Sequence, residues 1–141
     1  MNRLVLVLSL CAVVAGCGGE SVDPKGTEGA ENEEAVLKVY ANFQEAILFA
    51  DGELLCDILA NDRVQDVERQ DDVSVDCATA ASLGLGSFTD EEREAVRSAQ
   101  GKSDTNDVEI DGGNAGVTTP SGNEVQFVKE GGNWKLDLPI P

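Results

Sequence analysis

The residue types that most often carry chemistry are unevenly represented in this chain of 141 residues. It contains no histidine, four cysteines and 27 aspartate or glutamate residues. Without histidine, the chain cannot form a Ser-His-Asp or Cys-His catalytic arrangement or a metal site with an imidazole ligand. Acid–base catalysis would depend on Asp, Glu, Tyr or Lys, and a carboxylate used in this way needs burial to raise its pKa. The sequence singles out no catalytic residue.

Two short motifs suggest ligand sites, but each has a simpler structural explanation. Gly84-Leu85-Gly86 lacks the spacing and the lysine of a phosphate-binding loop. Oxygen ligands are frequent between Asp104 and Asp111, yet this stretch does not match the EF-hand pattern. Strand alternation predicts that the carboxylates of its second half point to solvent. We therefore expect neither a metal ion nor a cofactor.

The charge of the chain restricts its partners. The formal net charge is -17, and the ten basic residues form no cluster. Binding to a phosphate backbone requires a basic surface, so nucleic acid is not expected as a partner. The same charge would repel an anionic membrane, so attachment to a membrane would have to come from a lipid group. The acidity is interpreted as a source of solubility, and an acidic recognition surface is the alternative.

Cys17 has the most informative local context of the four cysteines. It follows an apolar run from Leu4 to Val14 and two small residues, Ala15 and Gly16. The run is shorter than the roughly 18 residues that a transmembrane helix needs. The pattern resembles the lipobox of bacterial lipoproteins. This resemblance implies that residues 1–16 are a signal peptide and that Cys17 carries lipid, with palmitate among its acyl groups. The alternative is an ordinary secretory signal that leaves Cys17 as a free thiol.

The lipobox resemblance implies a location and also reduces the cysteine count. It places the protein on the extracytoplasmic side of the cell membrane, held there by lipid. Cys11 would leave with the signal peptide, so Cys56 and Cys77 would remain as one pair. Exported proteins meet an oxidising environment, and this favours a disulfide between them. A redox-active or metal-binding pair is the alternative, although the spacing is not C-x-x-C.

The elements after Cys17 follow from composition and periodicity. Residues 17–31 are rich in Gly, Glu and Ser and are interpreted as a flexible tether. The rest, 32–141, has room for one domain. Asn32 is a plausible N-cap for a long helix, whose apolar face carries residues at helical spacing: Val36, Tyr40, Phe43 and Ile47.

Shorter elements complete the predicted domain. A second short helix contains Cys56 and ends near Asn61. For residues 61–76 the pattern does not decide between loop and irregular strand. Residues 77–83 are predicted to form a further helical turn. Thr89 and Glu92 form a capping box that predicts a helix over residues 90–99, with three residues directed inward: Ala95, Val96 and Ala99. From Val108 the period is two, and Gly-rich turns divide the chain into a four-strand antiparallel meander. The expected class is α+β, with N-terminal helices packed on a curved sheet.

This order of elements resembles the nuclear transport factor 2-like superfamily. The likeness lies in a long helix with Tyr40 and Phe43, a turn at Asp51-Gly52, a second helix with Cys56, and a meander whose last Gly-rich turn precedes Trp134-Lys135-Leu136. It is similar, more narrowly, to small bacterial lipoproteins of that group, which pair a cysteine of the second helix with a later one. The resemblance implies a cone-shaped sheet around the long helix, often with a pocket inside.

Three functions are consistent with this resemblance. The leading hypothesis is a non-enzymatic envelope lipoprotein whose cone binds a small apolar ligand or an envelope protein. The alternatives are a pocket enzyme of isomerase or hydrolase type with an Asp or Glu base, and a structural or interaction protein with a filled cone. The candidate pocket residues are Tyr40, Phe43 and Trp134, although a Tyr on an apolar helix face is also typical of a core.

Overall fold

A computed structural model describes residues 24–69, 75–102 and 105–138. Cys11, Cys17 and the first part of the predicted tether lie outside the described residues, and so does part of the undecided stretch after Asn61. The described chain is α+β, as the sequence predicts, with five helices followed by a four-strand antiparallel sheet. The helices are α1 (Pro24–Phe49), α2 (Gly52–Ile58), α3 (Asn61–Arg69), α4 (Cys77–Gly86) and α5 (Asp90–Gln100).

Helix α1 begins at Pro24, nine residues before Glu33, the first helical residue that an N-cap at Asn32 predicts, so residues 24–31 of the expected tether are helical. Proline suits the first turn of a helix, because its missing N–H would have no partner inside the helix and its φ is already helical. Residues 28–31 are exposed. These four positions therefore show no apolar period, and the prediction depended on that period.

Asn32 is not the N-cap of α1, because it lies inside the helix. Its Oδ1 instead accepts hydrogen bonds from Trp134 Nε1 at 3.2 Å and from Lys129 Nζ at 3.0 Å. The Lys129 ammonium also lies 5.5 Å from the centroid of the Trp134 ring, within the range of a cation–π contact. Asn32 therefore joins the first half of α1 to the last two strands of the sheet.

A two-residue turn separates α1 from α2. Ala50 takes a positive φ of 53°, and Asp51 accepts a hydrogen bond from the Leu54 amide through Oδ1 at 3.0 Å. This is an N-cap, so Gly52 is the first residue of α2 and does not serve to end α1. Helix α3 occupies the start of the stretch that the sequence left undecided. Its first amide, that of Asn61, donates a hydrogen bond to Glu130 Oε2 of the sheet at 3.2 Å.

The disulfide predicted from the sequence is present in the structure. Cys56 of α2 and Cys77 of α4 are joined at an S–S distance of 2.09 Å, and the bond closes a sequence separation of 21. Helix α4 is longer than the predicted turn and begins with an N-cap at Asp76, whose Oδ1 accepts from the Thr79 amide. The bond therefore links two helices across the part of the chain that has the least regular sequence pattern.

The sheet is the predicted meander, with strand order β1-β2-β3-β4 and every pair antiparallel. Its inward positions alternate as expected, and Ala115, Phe127 and Leu136 stand opposite one another across three strands. The sheet is open, with β1 and β4 at its edges. The strands are β1 (Asp107–Asp111), β2 (Asn114–Thr118), β3 (Glu124–Glu130) and β4 (Asn133–Leu136).

The core lies between one face of α1 and the inward face of the sheet. Val36, Val117, Phe127 and Leu136 are its most completely buried large side chains. Tyr40 belongs to the same cluster and is 6 % exposed. Nothing among the helices that the structure describes has the length and apolar character to cross a membrane.

Candidate functional site

A cavity of about 550 Å³ lies between α1, α5 and the turn that joins β2 to β3. Two of the three candidate pocket residues, Tyr40 and Phe43, line it from α1. They face it together because positions three and four apart share one side of a helix. Ile47 continues the same face, and Val125 of β3 lies on the opposite wall. The walls next to α1 are therefore mainly apolar.

Trp134, the third candidate, is not among the residues that line this cavity. It is 5 % exposed and belongs to the core cluster that also contains Val36 and Leu136. Its indole N–H is held by Asn32, so its polar atom is directed at α1. The sequence groups Trp134 with the two pocket residues because all three are aromatic, but the strand register places it near the other end of α1.

The wall of the cavity on α1 contains a polar pair, Tyr40 and Gln44. Gln44 is 5 % exposed and is the one buried polar or charged residue identified in the described part of the chain. Burial raises the pKa of the Tyr40 hydroxyl above its usual value of 10.0, and a hydrogen bond to the Gln44 side chain partly opposes this increase. Tyr40 is therefore protonated at neutral pH and is available as a hydrogen-bond donor.

The charge around the cavity contrasts with that of the whole chain. Lys102, an exposed residue just after α5, is the single ionisable Lys, Arg, Asp or Glu among the described lining residues. None of the 27 acidic residues of the sequence appears in the described lining. A general base of the Asp or Glu type is therefore missing from the part of the wall that the structure describes.

Helix α5 forms one wall of the cavity. The structure describes all of α5, and none of its side chains is fully buried. Ala95, Val96 and Ala99, which the capping box and periodicity direct inward, line the cavity. Val96 also packs against a small core cluster of Ala46, Ile47 and Leu85, so the sequence correctly predicts which side of α5 faces the domain.

Arg93 connects α5 by hydrogen bonds to the C-terminal ends of α1 and α4. Its guanidinium donates to the Leu85 carbonyl of α4 at 2.7 Å and to the Ile47 carbonyl of α1. Carbonyls in the last turn of a helix have no partner within that helix and carry its partial negative charge. A single cation therefore binds carbonyls at the ends of α1 and α4 and holds the α5 wall in place.

The turn after β2 forms the rim of the cavity and is closed by its own hydrogen bonds. The Thr119 amide donates to the Asn123 carbonyl at 2.8 Å, and the hydroxyls of Thr119 and Ser121 lie 2.9 Å apart. Gly122 takes a φ of 84°, which favours glycine at this point of the turn. The rim therefore presents hydroxyl and amide groups, whereas the wall behind it is apolar.

Two other depressions have no comparable lining. One of about 530 Å³ lies on the outward face of β1, β2 and β3, with Glu109, Asp111 and Glu124 at its border. The other, of about 440 Å³, lies where α2 meets α4. Across the three described ranges, no group of three or more His, Cys, Asp or Glu residues is placed to hold a metal ion. The first cavity remains the candidate site.

The sequence contained signals for the residues that its interpretation missed. Gln44 lies four residues after Tyr40 and three before Ile47, so helical periodicity predicts an inward position for a polar side chain. Such a residue indicates either a buried hydrogen bond or a cavity. The role of Arg93 had no comparable signal, because its two acceptors are backbone carbonyls that lie 46 and 8 residues away in the chain.

Comparisons with known proteins identified no relative of this chain. No protein-family model, curated protein or solved structure matches it. The proposal below therefore depends on the fold, the cavity and the sequence patterns.

Proposed function

We propose that this protein is a lipid-anchored envelope protein with a single domain of the nuclear transport factor 2-like type, whose cavity binds a small apolar ligand. The observation that carries the proposal is the cavity of about 550 Å³ between α1 and α5. Ligand sites for small molecules commonly measure about 300–1,000 Å³ and are mainly apolar, with a few polar groups that orient the ligand. Tyr40 and Gln44 correspond to such polar groups.

The arrangement of the elements supports the proposed type of domain. A long helix lies on the inward face of an antiparallel meander, and the cavity is next to the same helix. The sheet is open, and α5 lies beside α1 and lines the cavity together with the turn between β2 and β3. Depressions of similar volume occur elsewhere on the domain, so the apolar lining distinguishes this cavity: Phe43, Val96 and Val125 lie in its walls, and this favours binding over a purely structural role.

Binding is favoured over catalysis by the groups at the cavity. An isomerase or hydrolase with a carboxylate base needs that carboxylate within hydrogen-bond reach of its substrate. The described lining contains no Asp or Glu, and the raised pKa of Tyr40 makes its phenolate scarce at neutral pH. Lys102 is exposed and lies beyond the end of α5, so it is poorly placed to act as a buried base.

The proposed anchor is Cys17, which carries lipid after removal of residues 1–16. Residues 24–31 belong to α1 and would add a helical spacer of roughly 12 Å at 1.5 Å per residue. The domain would then be held away from the membrane surface by a segment of defined length. Such a spacing suits a strongly acidic domain, which an anionic surface repels.

Two experiments test the two parts of this proposal separately. Native mass spectrometry of the protein purified from its own cells should detect a bound small molecule, which organic extraction should release. Finding the protein free of small molecules but bound to another envelope protein would replace ligand binding with partner binding. Globomycin, which blocks lipoprotein signal cleavage, should increase the mass and keep residues 1–16 attached. An unchanged mass and membrane fraction would refute the lipid anchor.

A further inference from the structure

The polar pair in the cavity indicates the chemistry of the ligand. A glutamine amide offers two donor hydrogens and two acceptor lone pairs, more than one tyrosine hydroxyl can satisfy. Gln44 lines the cavity and is 5 % exposed, so a ligand in the cavity would lie against a nearly buried amide side chain. Its neighbours on the same helix face, Tyr40 and Ile47, are likewise almost fully buried.

A purely apolar ligand would leave the polar groups of Tyr40 and Gln44 without hydrogen-bond partners in the ligand. Covering Gln44 and Tyr40 with hydrocarbon would remove water from the amide and the hydroxyl without replacing its hydrogen bonds, which is unfavourable. A ligand group that both donates and accepts, or that accepts from both, would restore them. The cavity is therefore better suited to a molecule with one polar group than to a hydrocarbon.

The charge distribution restricts that polar group further. Among the described lining residues, Lys102 is the single Lys, Arg, Asp or Glu, and it is exposed. The guanidinium of Arg93, which reaches the Ile47 carbonyl, is not part of the described lining. A carboxylate or ammonium buried beside the pair would lose its hydration without gaining a counter-ion. An uncharged hydroxyl, carbonyl or amide loses far less.

We propose that the ligand is a neutral amphiphile: an apolar chain or ring system with one uncharged polar group that hydrogen-bonds to Tyr40 and Gln44. The apolar part would lie against Phe43, Val96 and Val125. The inference rests on the proposed function, since it presumes that the cavity binds small molecules, and it adds which chemical class the cavity selects.

The test compares three ligands with the same chain length and different head groups. Displacement of Nile red from the full-length protein at pH 8 would be measured with 1-decanol, decanoate and decylammonium, each kept below its aggregation limit. 1-Decanol should bind at least about tenfold more tightly than either ion, because its hydroxyl keeps a hydrogen bond to the pair whereas a buried ion loses hydration without a counter-ion. The N-terminal apolar run contributes equally to every variant and therefore cancels from comparisons between variants.

Two variants assign this selectivity to the polar pair. Tyr40→Phe and Gln44→Met should each weaken 1-decanol binding about tenfold and leave the two ions nearly unchanged. Gln126→Met is the matched control, because Gln126 lies on the outward face of β3 beside the depression there, and its binding should equal that of the natural chain. Far-UV circular dichroism verifies that each variant is folded.

The outcomes separate this inference from the proposed function. If Nile red and all three ligands fail to bind, the proposed function is wrong as well. If 1-decanol binds but neither Tyr40→Phe nor Gln44→Met affects it, the cavity binds small molecules without the selectivity inferred here. If decanoate binds most tightly and loses that preference in Lys102→Ala, the ligand is an anionic amphiphile and the inference is overturned.

Discussion

Gly52 lets α2 and α4 pack at a distance that no larger residue allows. It is buried at the start of α2, where a Cβ atom would overlap the Ala78 carbonyl oxygen and the Ser82 hydroxyl and would lie 2.6 Å from the Ser82 amide nitrogen. Two of these three atoms belong to the backbone of α4 and cannot rotate away. Gly52→Ala should therefore force the two helices apart.

The expected destabilisation is about 3 kcal/mol. Overpacking a close contact costs typically about 1–3 kcal/mol, and the upper end applies because the Cys56–Cys77 disulfide resists separation of the helices. The hydrogen bond from the Gly52 amide to Ser82 Oγ, at 3.2 Å, would also be strained, at a cost of about 1 kcal/mol. The higher helix propensity of alanine offsets less than about 1 kcal/mol of the total.

Equilibrium urea unfolding can measure this change through the fluorescence of Trp134, the one tryptophan of the sequence and a buried core residue. With a slope of roughly 1.5 kcal/mol per molar urea, the midpoint of Gly52→Ala should fall by about 2 M. Gly84→Ala is the control, because the added Cβ would find open space among the described residues, and it should stabilise α4 by up to about 1 kcal/mol. If Gly52→Ala stays within about 0.5 kcal/mol of the natural chain, helix α2 moves freely relative to α4 and the reasoning is wrong.

Three further predictions concern the disulfide, the α5 wall and the response to acid. Replacing Cys56 and Cys77 with alanine should lower the free energy of unfolding by about 3 kcal/mol, because the bond closes a separation of 21 residues; urea midpoints would show this, and an unchanged midpoint would contradict it. In the same urea measurement, Arg93→Met should lower the free energy of unfolding by about 2 kcal/mol, because it removes the hydrogen bonds that hold α5 to two other helices. Arg97→Met removes an exposed ion pair and should lower it by less than about 0.5 kcal/mol. Equal effects of the two variants would contradict the role of Arg93 as the anchor of α5. The capping hydrogen bonds with Thr89 lower the pKa of Glu92 below its usual 4.5. The stabilisation by its carboxylate is therefore complete above pH 4.5 and is lost as the pH falls from there through the folded-state pKa. Glu92→Gln should flatten that part of the plot of unfolding free energy against pH, and an unaltered plot would exclude Glu92 as its source.

The features that the sequence predicts correctly depend on residues close together in the chain. The capping box of α5 needs only Thr89 and Glu92, and both of its hydrogen bonds are present, at 3.2 Å and 2.8 Å. The meander follows from a period of two interrupted by glycines, and Gly131 and Gly132 take φ of 57° and 86° at the last turn. In each case the physical cause acts over a few residues, so the sequence shows it directly.

The errors arose where the partner of a residue lies far away in the chain. Asn32 has the chemistry of an N-cap, but Trp134 and Lys129 use its side chain from more than ninety residues away. The first amide of α3 is satisfied by Glu130 instead of by a neighbouring cap. A local pattern cannot distinguish a side chain that caps its own helix from one that binds a distant strand.

The cavity shows most clearly which features the sequence determines and which depend on the tertiary structure. The sequence alone determined the absence of histidine and the apolar face of α1 with Tyr40 and Phe43, and it favoured a disulfide between Cys56 and Cys77. The tertiary structure decided that this disulfide forms, that Trp134 joins the core, and that Gln44 and α5 line the same cavity. The physical reason is that a cavity is the volume which several elements leave unfilled, so it depends on how far apart those elements pack.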